Sequence, residues 1–290
     1  MKLLITGANG QLGLALARRL SGQHEVVTLD RAQLDISDAK ACLRTLESAR
    51  PDVLLNCAAY TAVDRAETDR DAAFAINAEG PRNLAQACKE LGIFPIHFST
   101  DYVFDGTAQT PYCEEIPTNP TSVYGESKLA GEIAVGNECP VHLIFRLSWV
   151  YSNDGANFYK TMLRLGGERP QLRVVSDQFG VPNYTADIAD SIAIVLERNT
   201  AELVACSGLY HLSSVGPTSW CDFARAIFDG AQMSDRVAVE AISTSEYKTA
   251  AIRPAYSVLD ARRFAATFGG TALDWRDGLR RCLAERTMLA

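Results

Sequence analysis

Apolar residues in the first half of the chain follow two alternating patterns. Short, nearly continuous apolar runs at 2–6, 25–30, 53–58, 95–99 and 141–147 read as strands buried on both faces. Between them the apolar positions fall at helical spacing. Leu12, Leu16, Ala17 and Leu20 share one face, residues 38–49 form a second helix closed by Pro51, residues 71–91 a long third ending at Gly92, and residues 127–135 a fourth. Strands alternating with helices predict an α/β fold with a parallel sheet. Right-handed crossovers make such a sheet doubly wound. Ligands of these sheets bind beyond the carboxyl ends of the strands, which here are 7–13, 30, 58–60, 99–101 and 148–151.

After about residue 151 the rhythm changes. Segments 158–165, 186–196 and 220–230 read as helices, and 172–175 and 208–212 as short strands. The expected division is a nucleotide-binding domain over 1–150 and a smaller mixed α/β C-terminal substrate domain over 151–290, with the strand near 208–212 returning to the main sheet. The Pro- and Gly-rich stretches 105–119 and 166–170 are expected at hinges or rims.

Composition narrows the class. With 290 residues, 47% hydrophobic and 22% charged, the chain is an ordinary globular one that can bury a large core. A net charge of −7 speaks against nonspecific grip on nucleic acid or anionic lipid, while leaving room for a local basic pocket. The eight cysteines are scattered without a CxxC, so no disulfide framework is read, and Cys57 and Cys88 sit in apolar stretches as small hydrophobes. The four histidines form no HxxxH or HxH pair, and no metal site is expected. Gly7, Asn9, Gly10 and Gln11 cut the initial apolar run too early for a signal peptide, and no apolar stretch approaches the ~18–20 residues of a spanning helix. The expectation is a soluble cytoplasmic protein with reduced thiols and no membrane partner.

The first strand ends in Gly7-Ala8-Asn9-Gly10-Gln11-Leu12-Gly13, which opens the first helix. Glycines there allow a tight turn and close approach of a pyrophosphate, and the amides of Gly10, Gln11 and Leu12 would face it. This makes the expected sheet Rossmann-like and binding a dinucleotide. Asp30, ending the second strand, suits the ribose hydroxyls, whereas the adjacent Arg31 suits a 2′-phosphate, so NADPH and NADH both stay open. Asp35 and Ile36 either flank the adenine or belong to the start of the next helix. Ala58, Ala59 and Tyr60, small then aromatic, either admit the dinucleotide or pack the core.

Tyr124 and Lys128 stand four apart in Val-Tyr-Gly-Glu-Ser-Lys, on one face of a helix. The lysine is expected to lower the tyrosine pKa and hold a ribose. Thr100, in Ser99-Thr100-Asp101 at the fourth strand end, either polarises a carbonyl or merely caps a turn. Trp149 at the next strand end is either a wall for a sugar or nicotinamide or a core anchor.

The combination of Gly-x-x-Gly-x-x-Gly, Tyr-x-x-x-Lys and an upstream hydroxyl resembles the extended short-chain dehydrogenase/reductase superfamily. Further segments, 56–67, 98–106, 177–182 and 253–260, resemble the dTDP-4-dehydrorhamnose reductases, and the likeness spans essentially the whole chain. That resemblance implies NAD(P)H-dependent reduction of the 4-keto group of dTDP-6-deoxy-L-lyxo-4-hexulose to dTDP-L-rhamnose. It implies Tyr124 as proton donor, Lys128 as its partner and ribose ligand, Thr100 on the keto oxygen, and Asp101 and Trp149 on the substrate. The residues from Gly7 to Gly13, with Asp30, Arg31, Asp35, Ile36, Ala58, Ala59 and Tyr60, would line the cofactor. Some members bind Mg²⁺ at a dimer interface, but no carboxylate cluster for it is apparent here, and a homodimer is left open. Arg253 either holds a diphosphate or ties the C-terminal region to the sheet. Asn183 departs from the family's more usual Thr. Two rival readings remain: another nucleotide-sugar ketoreductase or epimerase, and a non-enzymatic NADP-binding regulatory subunit of methionine adenosyltransferase.

Overall fold

A computed structural model describes residues 1–270 and 273–289. The first half runs β1 (Lys2–Thr6), α1 (Gln11–Leu20), β2 (Glu25–Leu29), α2 (Ala39–Ala49), β3 (Val53–Asn56), α3 (Val63–Ala66), α4 (Arg70–Phe74), α5 (Gly80–Leu91), β4 (Phe94–Thr100), α6 (Val123–Glu138) and β5 (Leu143–Leu147). The second half runs β6 (Val150–Tyr151), α7 (Phe158–Glu168), β7 (Gln171–Val175), β8 (Phe179–Gly180), β9 (Asn183–Tyr184), α8 (Thr185–Val195), α9 (Thr200–Ala205) and β10 (Gly208–His211). It ends with β11 (Thr218–Ser219), α10 (Trp220–Gly230), β12 (Ala238–Ile242), α11 (Arg262–Phe268) and α12 (Trp275–Leu289).

Six strands pair in the order β10-β5-β4-β3-β1-β2, every neighbour parallel. The alternation of side chains along each strand divides the core in two. Leu3, Ile5, Leu55, Ile96 and Phe145 face α1 and α8, packing on Leu16, Leu20, Ile188 and Ile192. Leu4 and Leu54 face α2 and α5, packing on Cys42, Leu46, Leu84 and Cys88. Both faces are thus covered, as a parallel sheet requires. The sequence places the five early strands close to where they form, and the strand expected near 208–212 pairs with β5.

A second core, rich in aromatics, holds the other half together. Tyr151, Tyr159, Phe223, Trp275 and Leu279 pack between α7, α10 and α12. Around it lie three two-stranded pairs, β11 with β8, β12 with β7 and β6 with β9. Asn183 is buried where the halves meet. Its amide donates to Ser148 O (2.7 Å) and Val181 O (2.8 Å), and its carbonyl accepts from Ser214 N (2.6 Å).

Two expected helices differ in detail. The segment read as one helix over 71–91 is α4, a π-helical stretch Ala75–Glu79, and α5 in succession. The helix expected to begin at 127 begins at Val123, with Ser122 as its cap accepting from Gly125 N at 3.2 Å.

Candidate active site

The carboxyl ends of β1, β3, β4 and β5 open on one cleft of about 920 Å³. At its floor, Gly7 has φ +63°, and a Cβ there would stand 2.6 Å from Ala58 N, so only glycine allows the two loops to meet. Gly10 caps α1 with no acidic residue in the first turn and no side-chain cap. The first helical bond is Leu14 N to Gly10 O, 2.9 Å, so the amides of Gln11, Leu12 and Gly13 precede the ladder and face the cleft they line. A helix start of this kind carries partial positive charge and attracts an anion.

Asp30 and Arg31 line the outer end. The Asp30 carboxylate accepts from Asn9 Nδ2 (2.9 Å) and from the turn amides of Ala32 and Gln33. Asp35 accepts from Ser37 N and Oγ, which together hold its carboxyl below the usual range. The cap of α2 is Asp38, accepting from Ala41 N. Ile36, Ala58 and Ala59 also line the cleft.

Tyr60 does not line it. Its hydroxyl donates to Asp69 (3.0 Å), and its backbone is clamped by the Asn77 amide, N–H to Oδ1 at 2.8 Å and C=O from Nδ2 at 3.0 Å. These bonds tie the residue to Asp69 and Asn77.

At the inner end, Thr100 Oγ1 caps the turn after β4, accepting from Tyr102 N, and donates to Asp101 Oδ1 at 3.1 Å. Thr100 thus caps the turn and also lines the cleft. Asp101 is 2% exposed, and burial pushes its carboxyl up to about 6. Its Oδ2 has no hydrogen-bond partner among the described residues. Tyr124 and Lys128 project from the first turns of α6, with the Tyr102 ring edge-on to Tyr124 at 5.5 Å.

The expected lowering of the Tyr124 pKa does not occur. Loss of water around the hydroxyl raises it, Asp101 and Tyr102 add to the rise, and a hydrogen bond with Thr100 only partly offsets it. Lys128 Nζ donates instead to Phe98 O at 2.6 Å. Lys128 is buried, and burial pulls its ammonium down to about 8.

Trp149 lies at φ +43°, a conformation a bulky side chain rarely adopts, and stacks on Trp220 with centroids 3.4 Å apart and planes 6° from parallel. Trp220 and Phe158 extend the wall. Arg253 also reaches the cleft, yet its Nη2 pairs with Asp64 Oδ2 at 2.7 Å. The tie between the C-terminal region and α3 is therefore present, beside the cleft.

Several lining residues escaped the sequence reading. Tyr102 lies inside a segment whose resemblance was recognised. Asn157 caps α7, accepting from Lys160 N, and its amide also donates to Gln11 Oε1 at 2.7 Å, a bond that spans 146 residues and leaves no local signal. Cys57, read as a core residue, is half-buried at the cleft edge. Among the described residues all eight cysteines are free, no group of three or more His, Cys, Asp or Glu stands together to hold a metal ion, and no helix is long and apolar enough to cross a membrane.

A glycine-floored cleft at the strand ends, with Tyr-x-x-x-Lys and a hydroxyl at its inner end, defines an oxidoreductase-type nucleotide site of the short-chain dehydrogenase/reductase kind. The family described as RmlD substrate binding domain matches residues 1–288. The chain is 44% identical to the dTDP-4-dehydrorhamnose reductase of Burkholderia thailandensis, covering 98% of this chain and 99% of the relative. A crystal structure of a dTDP-4-dehydrorhamnose reductase from Clostridium acetobutylicum superposes with a TM-score of 0.94 at 40% identity, covering 99% and 100%. The Bacillus anthracis dTDP-4-dehydrorhamnose reductase, solved in complex with NADP, superposes at 0.93 with 39% identity, covering 98% and 99%. The chain belongs to the dTDP-4-dehydrorhamnose reductase family.

Proposed function

We propose that this protein uses NADPH to reduce the 4-keto group of dTDP-6-deoxy-L-lyxo-4-hexulose, giving dTDP-L-rhamnose. The observation that carries the reading is the convergence of Thr100, Tyr124 and Lys128 at the inner end of a cleft whose floor is the Gly7–Ala58 contact. The donor set fits a dinucleotide. The α1 amides take the pyrophosphate, Lys128 the nicotinamide ribose, and Arg31 a 2′-phosphate. Asp30 already accepts hydrogen bonds from Asn9 and the turn, which leaves Arg31 as the more available group and favours NADPH over NADH.

The bound cofactor supplies a hydride to the keto carbon. Thr100 donates to the keto oxygen and polarises it. Tyr124, protonated near neutral pH with its pKa raised by desolvation, passes its proton to that oxygen as general acid. Lys128 fixes the ribose with the N–H groups it does not give to Phe98. Trp149, braced by Trp220, bounds the sugar, and Asp101 contacts it. Arg253, paired with Asp64 and lining the cleft, is the group that would meet the substrate's diphosphate. The free thiols suit a reducing compartment, and we place the protein in the cytoplasm.

The test is nicotinamide absorbance on mixing protein, NADPH and the dTDP-4-keto-6-deoxy-L-sugar. Absorbance loss stoichiometric with dTDP-L-rhamnose is expected. Cofactor binding without stoichiometric oxidation overturns the assignment, because an epimerase returns its hydride and a regulatory subunit transfers none.

A further inference from the structure

The turn that joins β6 to α7, residues 152–157, belongs to the second half of the chain, yet the first residue of α1 holds it. Gln11 Oε1 accepts from Asn157 Nδ2 at 2.7 Å and from Ser152 Oγ at 3.1 Å, bonds that span 146 and 141 residues. The Asn157 amide also donates to Ser152 O at 2.8 Å, and its Oδ1 accepts from Lys160 N at 2.9 Å, so this residue closes the turn and caps α7. Gly155 lies at φ +62°, and a Cβ there would stand 3.0 Å from Gln11 Cγ, so the turn is pressed against that side chain. About two helical turns further along α1, on the same face, Arg18 pairs with Asp154. The Arg18 end of that pair is exposed and contributes little, whereas Ser152 is 2% exposed. Pyrophosphate binding calls on the backbone amide of Gln11 and leaves its side chain unused.

We infer that Gln11 acts through its side chain as a positioning residue for the sugar side of the cleft, anchoring the 152–157 turn and, with it, Phe158 beside the glycine loop. Phe158 opens α7 directly after the turn, and its ring stands 4.6 Å from that of Trp220, which stacks on Trp149. All three rings line the cleft. A displaced turn therefore moves the aromatic wall relative to the glycine loop. A neutral acceptor suits the place. A carboxylate there would accept the same two bonds but set its charge beside a pyrophosphate, and α1 has no acidic residue in its first turn. An apolar side chain would spare the pyrophosphate but deprive Ser152 and Asn157 of this acceptor.

The inference rests on the proposed function, and its test separates the two. The NADPH Kd is measured by fluorescence titration, and the KM for the dTDP-4-keto-6-deoxy-L-sugar at saturating NADPH. Gln11→Met keeps the side-chain length and every backbone amide. It is expected to raise the sugar KM about five- to tenfold and to leave the NADPH Kd within about twofold. Gln11→Glu is expected to show the reverse split, an NADPH Kd about five- to tenfold weaker with the sugar KM within about twofold. Asn157→Ser keeps the cap of α7 and breaks the same bond from the other side. Its sugar KM is expected to rise as for Gln11→Met, with the double variant no worse than either single one. An unchanged sugar KM in Gln11→Met, additive losses in the double variant, or equal losses in both constants overturn the inference and make the contact merely structural. No NADPH binding or no sugar reduction by the wild type overturns the proposed function and the inference with it.

Discussion

Tyr124 is protonated near neutral pH, its pKa raised further by desolvation and by the neighbouring Asp101 and Tyr102, and a general acid in a reduction must carry a proton. Tyr124→Phe removes the proton and little volume. It is expected to leave the NADPH Kd within a fewfold and to cut turnover by about 10²–10⁴, and near wild-type turnover would overturn the role. Asp101 gives a second measurable consequence. Its carboxyl titrates near 6 in the folded protein against about 3.9 in an unfolded chain. Between those values the folded state binds more protons, so stability falls as pH rises from about 4 to 6 and the loss persists above. Asp101→Asn cannot ionise. Its melting temperature relative to wild type is expected to climb between pH 4 and 7, and a flat difference would show that burial of the charge is not what sets that pKa.

The element that most shapes the cofactor side is the π-helical stretch between α4 and α5. Its Asn77 amide satisfies both backbone groups of Tyr60 and also donates to Ser127 Oγ at 3.0 Å, so one side chain links the loop after β3 to α6. π-bulges of this kind often sit at functional sites. Asn77→Ala strands two backbone groups, a cost of about 1–3 kcal/mol for each one left dry. The expected result is a lower denaturation midpoint and a several-fold higher KM for NADPH with kcat nearly kept. An unchanged KM would mean that the loop is held by other contacts.

The same elements show which features a sequence can carry. Strands β1, β3, β4 and β5 were legible because burial on both faces makes them apolar runs, and the half-exposed edge strand β2 because of its Val-Val-Thr-Leu stretch. The glycine loop and Thr100 were legible because they sit at the ends of those runs, and Tyr124 and Lys128 because four-residue spacing puts them on one helix face. The π stretch was not, since its apolar pattern still reads as a helix and the contacts of its Asn77, with Tyr60 and Ser127, are distant in sequence. The start of α6 was hidden by Gly125, a weak helix former, which is needed because a Cβ there would collide with Tyr102 O. Helix α3 has four residues, too few to show a period. Trp220 and Trp149 meet across a gap of about seventy residues, and no local rule pairs them.

At the scale of the whole molecule, the second half completes the main sheet and the core on one of its faces. α8 packs on α1, and β10 extends the sheet past β5, so the face of β1, β4 and β5 is closed by residues from beyond position 150. Ile188, Ile192, Val195 and Leu196 are each 3% exposed or less. Four such side chains contribute on the order of 6–12 kcal/mol by burial, comparable to the entire net stability of a domain. A fragment of residues 1–150 keeps the glycine loop, Thr100, Tyr124 and Lys128, yet leaves that face of the sheet bare. It is expected to lack a cooperative thermal transition and to bind no NADPH, whereas the full chain melts in a single transition. Calorimetry and a cofactor titration on both proteins check this. Cooperative melting of the fragment with NADPH bound would show that the first half is an independent domain and that α8 and β10 are additions to a core already complete.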